Sequence, residues 1–199
     1  MSTTAIVVIA VLVALVLWYV VTYNRFVGLR NEVKNAFAQI DVQLKRRYDL
    51  IPNLVEVARG YMQHERETLE AVAAARSNAV TAAQQARANP ADGGALMALA
   101  GAEGVLGAGL GRLMALSEAY PELKADREMQ RLSEEIASTE NRIGFARQAY
   151  NDTVLAFNTA TEEFPSNIVA TLNRFPSLPM LQSTTSEQER QAPQVRFGQ

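Results

Sequence analysis

Few side chains in this sequence are suited to catalysis or metal binding. There is no cysteine, and His64 is the only histidine. Thiol nucleophiles, zinc–thiolate sites and multi-histidine metal sites are therefore excluded, and acid–base catalysis has one imidazole at most. His64 stands in Tyr61-Met-Gln-His-Glu-Arg66. Because no second histidine or cysteine could complete a ligand shell, the sequence predicts a surface histidine, and we predict no metal, cofactor or catalytic residue.

A polar stripe in the C-terminal half is the second candidate for chemistry. Glu140, Arg147, Asn151 and Asn158 lie along one side of a predicted helix. Three interpretations are open: a solvated face, a satisfied polar layer between helices, and paired carboxylates for hydrolysis. Hydrolysis ranks last, because the sequence identifies neither a pocket nor a second catalytic group. The preferred layer, which would fix helix register more than it adds stability, consists of Arg46, Arg47, Asp49, Glu140, Arg147 and Asn151, with Asp41 as an alternative carboxylate.

A glycine-rich stretch within Ala95–Tyr120 raises the question of phosphate binding. Five glycines lie between Gly101 and Gly111. They lack the dinucleotide-binding spacing and the P-loop lysine, and no strand precedes them. Each glycine costs a helix interior up to about 1 kcal/mol relative to alanine. We therefore expect small residues that let this helix approach a neighbour closely, with part of the stretch irregular or mobile.

The element that positions everything else is an N-terminal apolar run. Ala5–Val21 contains no polar residue except the aromatic Trp18 and Tyr19 near its end. At 1.5 Å per residue it spans about 26 Å, close to the hydrocarbon thickness of a bilayer. A cleaved signal peptide lacks support, since neither a basic start nor a small-x-small cleavage site is present. We predict a retained membrane anchor that includes Ile6, Val7, Leu12, Leu15, Leu17, Trp18, Tyr19 and Val21.

Charge predicts the orientation of this anchor. No basic side chain precedes the run, whereas Arg25, Arg30, Lys34 and Lys45–Arg47 follow it. The positive-inside rule places that flank in the cytoplasm and the N-terminus outside. The whole chain has 19 basic and 21 acidic residues, a net charge of −2. This balance argues against a nucleic-acid partner.

The remainder is predicted to be helical almost throughout. Apolar residues recur at near 3.5-residue spacing from Phe26, and Pro52 should bend or break the resulting rod. The turn-forming residues 89–94 predict a hairpin between antiparallel helices. A heptad seam follows between Asp126 and Thr161. The predicted packing residues are Phe37, Ile40, Leu44, Ile51, Met129, Leu132, Ile136, Ile143, Tyr150 and Phe157.

The C-terminal part divides into a short helix and a tail. Asn167–Arg174 is predicted to be helical, with Ser166 as its N-cap. Beyond Phe175 the prolines and polar residues predict an extended or disordered tail, whose Val195 and Phe197 could dock on the bundle. The predicted domains are therefore an anchor at 1–23, a helical bundle at 24–175 and the tail at 176–199.

Six motifs follow one another along nearly the whole sequence: Tyr23-Asn-Arg-Phe-Val-Gly-Leu29, Gln43-Leu-Lys-Arg-Arg-Tyr-Asp-Leu-Ile-Pro-Asn-Leu-Val55, Glu118-Ala-Tyr-Pro-Glu-Leu-Lys124, Glu140-Asn-Arg-Ile-Gly-Phe-Ala-Arg147, Tyr150-Asn-Asp-Thr-Val154 and Phe164-Pro-Ser-Asn-Ile168. Their order resembles that of the LemA family of bacterial membrane proteins. This resemblance implies an N-terminal anchor, a long antiparallel helical bundle and no established enzymatic activity or cofactor. One relative is associated with forming magnetosome membranes, and family genes often neighbour membrane proteases or other envelope proteins.

Together these observations predict an all-α protein whose single transmembrane helix continues into a helical bundle. We expect a non-catalytic scaffold or assembly protein of the bacterial cell envelope, involved in membrane organisation or remodelling. It would sit in the inner membrane with its helical domain in the cytoplasm. The bilayer, further copies of the chain and envelope proteins such as membrane proteases are the expected partners. Smooth surfaces at Ala71–Ala88 and the glycines favour homo-oligomers. The alternative is an envelope hydrolase that uses carboxylates near Tyr150 or His64.

Overall fold

The computed structural model describes residues 2–181, and within that range the chain forms helices and loops without a strand. The predicted all-α bundle with a long apolar N-terminal helix is confirmed. The predicted docking of Val195 and Phe197, and the tail beyond residue 181, lie outside the described residues. The helices are α1 (Thr3–Tyr61), α2 (Arg66–Ala88), α3 (Gly93–Ser117), α4 (Pro121–Ala125), α5 (Arg127–Glu162) and α6 (Ser166–Leu172).

Helix α1 has a bare part and a packed part. No residue in its most apolar 18-residue stretch, near the N-terminus, is buried. Further along the helix, Phe26, Val33 and Phe37 lie in the core. In the described part of the chain, α1 and α3 have the length and composition to cross a membrane. However, α3 packs on α2 and buries Leu106 and Leu113, as a core helix does. The bare surface therefore belongs to the first turns of α1.

Pro52 does not break the rod, so that part of the prediction is wrong. Helix α1 continues through Pro52 to Tyr61. Proline lacks the N–H that would reach the carbonyl of Tyr48. Arg76 of α2 supplies a donor instead, with its Nε 2.6 Å from that oxygen. The chain reverses after Tyr61, in a turn where His64 is exposed.

Helices α1 and α5 run antiparallel and form the main interface of the bundle. The ring centroids of Phe26 and Phe157 are 6.2 Å apart, and those of Phe37 and Tyr150 are 5.9 Å apart. All the predicted packing residues are buried: Phe37, Ile40, Leu44, Ile51, Met129, Leu132, Ile136, Ile143, Tyr150 and Phe157. The heptad seam of α5 therefore faces α1 of the same chain.

Helices α2 and α3 form the predicted hairpin. Asp92 caps α3 by accepting a hydrogen bond from the backbone N–H of Gly94 at 2.8 Å. The expected irregularity around the glycines is wrong, because α3 is one regular helix. A Cβ at Gly109 would lie 3.4 Å from Val72 Cγ2, so glycine there allows close approach to α2. Within the alanine-rich run, Ala75, Ala79, Ala82, Ala83 and Ala86 are buried rather than free for another chain.

Helix α6 and the segment after it fold back on the bundle. Ser166 is the first residue of α6, and Pro165 holds the N-cap position, so the predicted cap is wrong. The Ser166 hydroxyl has the carbonyl oxygens of Ala160 and Glu163 as acceptors, at 2.8 Å and 2.9 Å. Arg174 adopts a left-handed φ of 54° and ends the helix. Phe175 then stacks on Phe26, with centroids 5.0 Å apart. Contacts with α5 hold residues 176–181 on the bundle.

Candidate functional site: a groove between α3 and α5

An open groove lies between α3 and α5. Helix α3 packs mainly on α2 and helix α5 mainly on α1, which leaves space between the two. This space has a volume of about 930 Å³. One wall carries the small residues of α3 and the other carries side chains of α5, including Ser133, Ile136 and Glu140. The glycine-rich stretch therefore forms the wall of a cleft.

A buried arginine, Arg47 of α1, forms the floor of this groove. Its Nη1 lies 3.0 Å from Oε2 of Glu103 and 2.6 Å from Oε2 of Glu140. Arg47 and Glu103 are 4% and 5% exposed, whereas the Glu140 side chain is 52% exposed. Arg147 lines the same groove, so two cations and two carboxylates meet there. Each buried charge has an opposite charge beside it, which is the condition for tolerating charges in an interior.

Tyr48 completes the buried contact. Its hydroxyl lies 2.6 Å from Oε1 of Glu103, to which it donates a hydrogen bond. Burial, followed by the charge and hydrogen bond of Glu103, raises the pKa of Tyr48 far above its ordinary value. Tyr48 therefore stays protonated and serves as a donor. Glu103 is held by both Tyr48 and Arg47, one helical position apart on α1.

The predicted polar layer is only partly assembled. Arg47, Glu140 and Arg147 meet in the groove, and Arg46 makes a long contact of 3.9 Å with Glu135 nearby. Asp49 is exposed and does not join the layer, because it lies on the outer face of α1. Asp41 instead pairs with Arg87 of α2 at 2.7 Å.

Asn151 also lies outside the polar layer, because it binds the C-terminal segment. Its Oδ1 accepts from the backbone N–H of Leu181 at 2.9 Å, and its Nδ2 donates to that residue's carbonyl at 2.8 Å. Asn158 makes the same pair of bonds with Leu178. Between them, the Tyr150 hydroxyl donates to the carbonyl of Pro179 at 3.1 Å. Asn151 and Asn158 thus bind the backbone of residues 178–181 through paired donor and acceptor bonds, as an adjacent β-strand would.

Sequence reasoning missed Glu103 and Tyr48. A signal was available for Glu103, because it is the only charged residue between Asp92 and Arg112. An isolated carboxylate in an apolar helix is costly to bury unless it has a partner. Its presence therefore indicated a cation on a facing helix, and Arg47 fills that role.

The groove offers little of the chemistry that hydrolysis requires. Glu103 and Glu140 both contact Arg47 Nη1. Tyr150 is enclosed by the core and the C-terminal segment, and His64 lies in the turn after α1. Among residues 2–181, no group of three or more histidine, aspartate or glutamate residues is arranged to hold a metal. The site is a charged patch at the base of an otherwise apolar cleft.

Comparison with known proteins places this architecture in a family. The family model described as "LemA family" matches residues 36–197. The chain belongs to the LemA family. The match includes the Arg47 floor and both walls of the groove, and it begins after the bare part of α1. The LemA resemblance of the motifs is confirmed.

Named relatives of this LemA protein are magnetosome proteins. Magnetosome protein MamQ of Magnetospirillum gryphiswaldense is 27% identical over 82% of this chain and 66% of that protein. Magnetosome protein MamQ 2 of Paramagnetospirillum magneticum is 27% identical over 86% of this chain and 69% of that protein. The chain therefore spans slightly less than two thirds of the first relative. The apolar helix and these relatives indicate a membrane-associated protein.

Proposed function

We propose that this LemA protein is a non-catalytic, membrane-anchored scaffold of the bacterial cell envelope. The observation that carries the proposal is the division of α1 into an unpacked apolar part and a packed part within one continuous helix. The apolar part spans the inner membrane, and the packed part is the central helix of the bundle. A rigid connection of this kind holds the bundle at a fixed position relative to the bilayer.

The proposed orientation places the bundle in the cytoplasm. Arg25, Arg30 and Lys34 follow the apolar part directly, and all three lie on the bundle side. Basic residues near a span favour the cytoplasmic face. The magnetosome names of the relatives support a role in organising or remodelling a membrane. Envelope proteins such as membrane proteases are proposed as further partners.

We propose that the scaffold assembles from copies of itself and that the groove between α3 and α5 receives a second copy. Gly101, Gly107 and Gly111 leave the groove wall without bulky side chains, so a helix can approach closely. Val105 is exposed beside them and offers apolar surface. Anchoring in one membrane raises the effective concentration of copies, which makes a modest lateral contact sufficient.

Glycine variants test the groove with a matched control. A Cβ at Gly101 or Gly111 meets no atom within 4 Å, and the same is true of Gly144, which does not line the groove. Gly101→Leu and Gly111→Leu should therefore fill the groove without disturbing the single chain. We expect both to lower the mass of the detergent-extracted protein, while Gly144→Leu does not. An equal effect at all three positions would contradict a contact in the groove.

Protease protection in spheroplasts tests the proposed membrane position. An N-terminal epitope should be cleaved by external protease, whereas the bundle should become accessible only after lysis. Extraction by carbonate, which removes peripheral proteins, should leave the chain in the membrane. Recovery in the carbonate supernatant would overturn the anchor, and cleavage of the bundle in intact spheroplasts would reverse the orientation.

A further inference from the structure

Three large apolar side chains at α6 face outward. Phe164, Ile168 and Leu172 are 82%, 53% and 71% exposed. Ile168 and Leu172 are four residues apart within α6, so they share one side of the helix, and Phe164 is exposed in the turn that precedes it. The opposite side of α6 is occupied, because Ser166, Val169 and Ala170 are buried against the bundle. An outward row of this kind is unusual on a surface that faces only water.

The position of α6 relative to the anchor is fixed by direct contacts. Asn173, immediately after α6, donates a hydrogen bond from Nδ2 to the hydroxyl oxygen of Tyr19 at 3.0 Å. Tyr19 belongs to the last turns of the apolar run, beside Trp18, and both are packed against the core cluster. Helix α6 therefore lies at the end of the bundle where α1 becomes bare.

The next residues reinforce this position. Phe175 packs against Tyr23 and Phe26 of α1, with centroids 5.9 Å and 5.0 Å away. Tyrosine and tryptophan side chains are enriched where a membrane meets water. Helix α6 thus stands beside the aromatic end of the anchor.

We infer that Phe164, Ile168 and Leu172 insert into the lipid at the bilayer surface from which α1 emerges. This inference rests on the proposed anchoring of α1. The apolar part of α1 and this row then form one lipid-facing surface, of which α6 is the part that lies along the interface. Such a second contact adds to the rigid connection through α1, because the bundle is then attached to the bilayer at two points.

Charge indicates what kind of lipid contact this is. Glu162 and Glu163 are exposed just before Phe164, and Arg174 is exposed just after α6. Residues 162–174 therefore carry no basic excess, which attraction of the row itself to anionic headgroups would require, whereas Arg30 and Lys34 of α1 lie beside Asn173 and Phe175. The contact is apolar, so it should form on phosphatidylcholine and persist at high salt.

Quenching of tryptophan fluorescence by brominated lipid tests the inference on the full chain. Trp18 is the only tryptophan, so Trp18→Phe gives a background for single-tryptophan variants. Ile168→Trp and Leu172→Trp each report on α6. Leu12→Trp reports on the anchor, and Phe145→Trp reports on an exposed part of α5 away from it. Each variant is reconstituted in vesicles of brominated and ordinary phosphatidylcholine, with circular dichroism as the check on folding.

We expect tryptophan at positions 168, 172 and 12 to lose most of its emission in brominated lipid, and tryptophan at position 145 to keep it. Quenching at position 12 without quenching at 168 and 172 would overturn the inference and leave the anchor intact. Absence of quenching at position 12 would overturn the anchor as well. Unquenched emission at 168 and 172 that shifts to the blue as the protein-to-lipid ratio rises would show that a second copy covers the row.

Discussion

Arg76 of α2 donates a hydrogen bond from Nε to the backbone carbonyl of Tyr48, at 2.6 Å, on the turn of α1 that precedes Pro52. This is the carbonyl that an ordinary residue at position 52 would satisfy through its own N–H. The contact explains how a 59-residue helix can contain a proline without ending there. It also joins α2 to α1 beside the buried Arg47 and Tyr48.

Removing the Arg76 side chain should destabilise the bundle through the carbonyl of Tyr48. We expect Arg76→Ala to lower the free energy of unfolding by about 1–3 kcal/mol, because a partly buried carbonyl loses a charged hydrogen-bond donor. The cost should be smaller in a Pro52→Ala background, because alanine restores the N–H donor. Urea unfolding of the detergent-solubilised full chain measures both values. Equal costs in the two backgrounds would contradict the compensation.

We expect the two carboxylates that contact Arg47, those of Glu103 and Glu140, to contribute unequally to the free energy of unfolding. Arg47→Leu leaves Glu103 buried beside Tyr48 alone, and we expect a loss of about 3–5 kcal/mol in unfolding free energy. Glu140→Gln should cost at most about 1 kcal/mol, because that side chain is half exposed and solvent screens its charge. Unfolding curves of the two variants make the comparison. A loss for Glu140→Gln that matches Arg47→Leu would show that the floor is not organised around Glu103.

The raised pKa of Tyr150 should lower the free energy of unfolding at alkaline pH. Burial raises the pKa of Tyr150 from 10.0 to about 12. The folded state therefore keeps a proton that the unfolded state loses, so this contribution is complete below pH 10 and disappears as the pH rises to about 12. Unfolding free energies across this window should fall less steeply for Tyr150→Phe than for the unaltered chain. Parallel profiles would contradict the assignment.

Two substitutions of Arg174 should affect the stability of the fold differently. Its φ of 54° is a conformation that glycine adopts freely and β-branched residues resist. The backbone N–H of Phe175 donates to the carbonyl of Ala170 at 2.9 Å, which closes the end of α6 around this residue. Arg174→Gly should be neutral or stabilising, whereas Arg174→Val should cost about 1–2 kcal/mol. Thermal unfolding distinguishes them, and similar midpoints would count against a conformational origin.

The sequence predicted the elements that repeat and missed the contacts that depend on a single partner. Met129, Ile136 and Ile143 recur every seventh residue, so their shared face could be predicted without a structure. Pro52 illustrates the opposite case. Its local preference for ending a helix is outweighed by Arg76, and the facing position of that residue follows only from the packing of α2.

The polar residues show the same division at the candidate site. The stripe on α5 was visible from its spacing, yet Glu140 contacts Arg47 whereas Asn151 and Asn158 bind backbone of residues 178–181. Helical spacing assigns residues to a face but does not identify what covers each part of it. Glu103 lies on a helix whose partner face was unknown, so its pairing with Arg47 required the tertiary structure.

Self-association of the full-length protein is the central requirement of a scaffold built on this groove. The most direct measurement is the mass of the detergent-extracted chain by sedimentation with the detergent contribution subtracted, repeated over a range of protein concentrations. We expect a protein mass that is a multiple of the 21.8 kDa chain. A mass of 21.8 kDa at every concentration would contradict it.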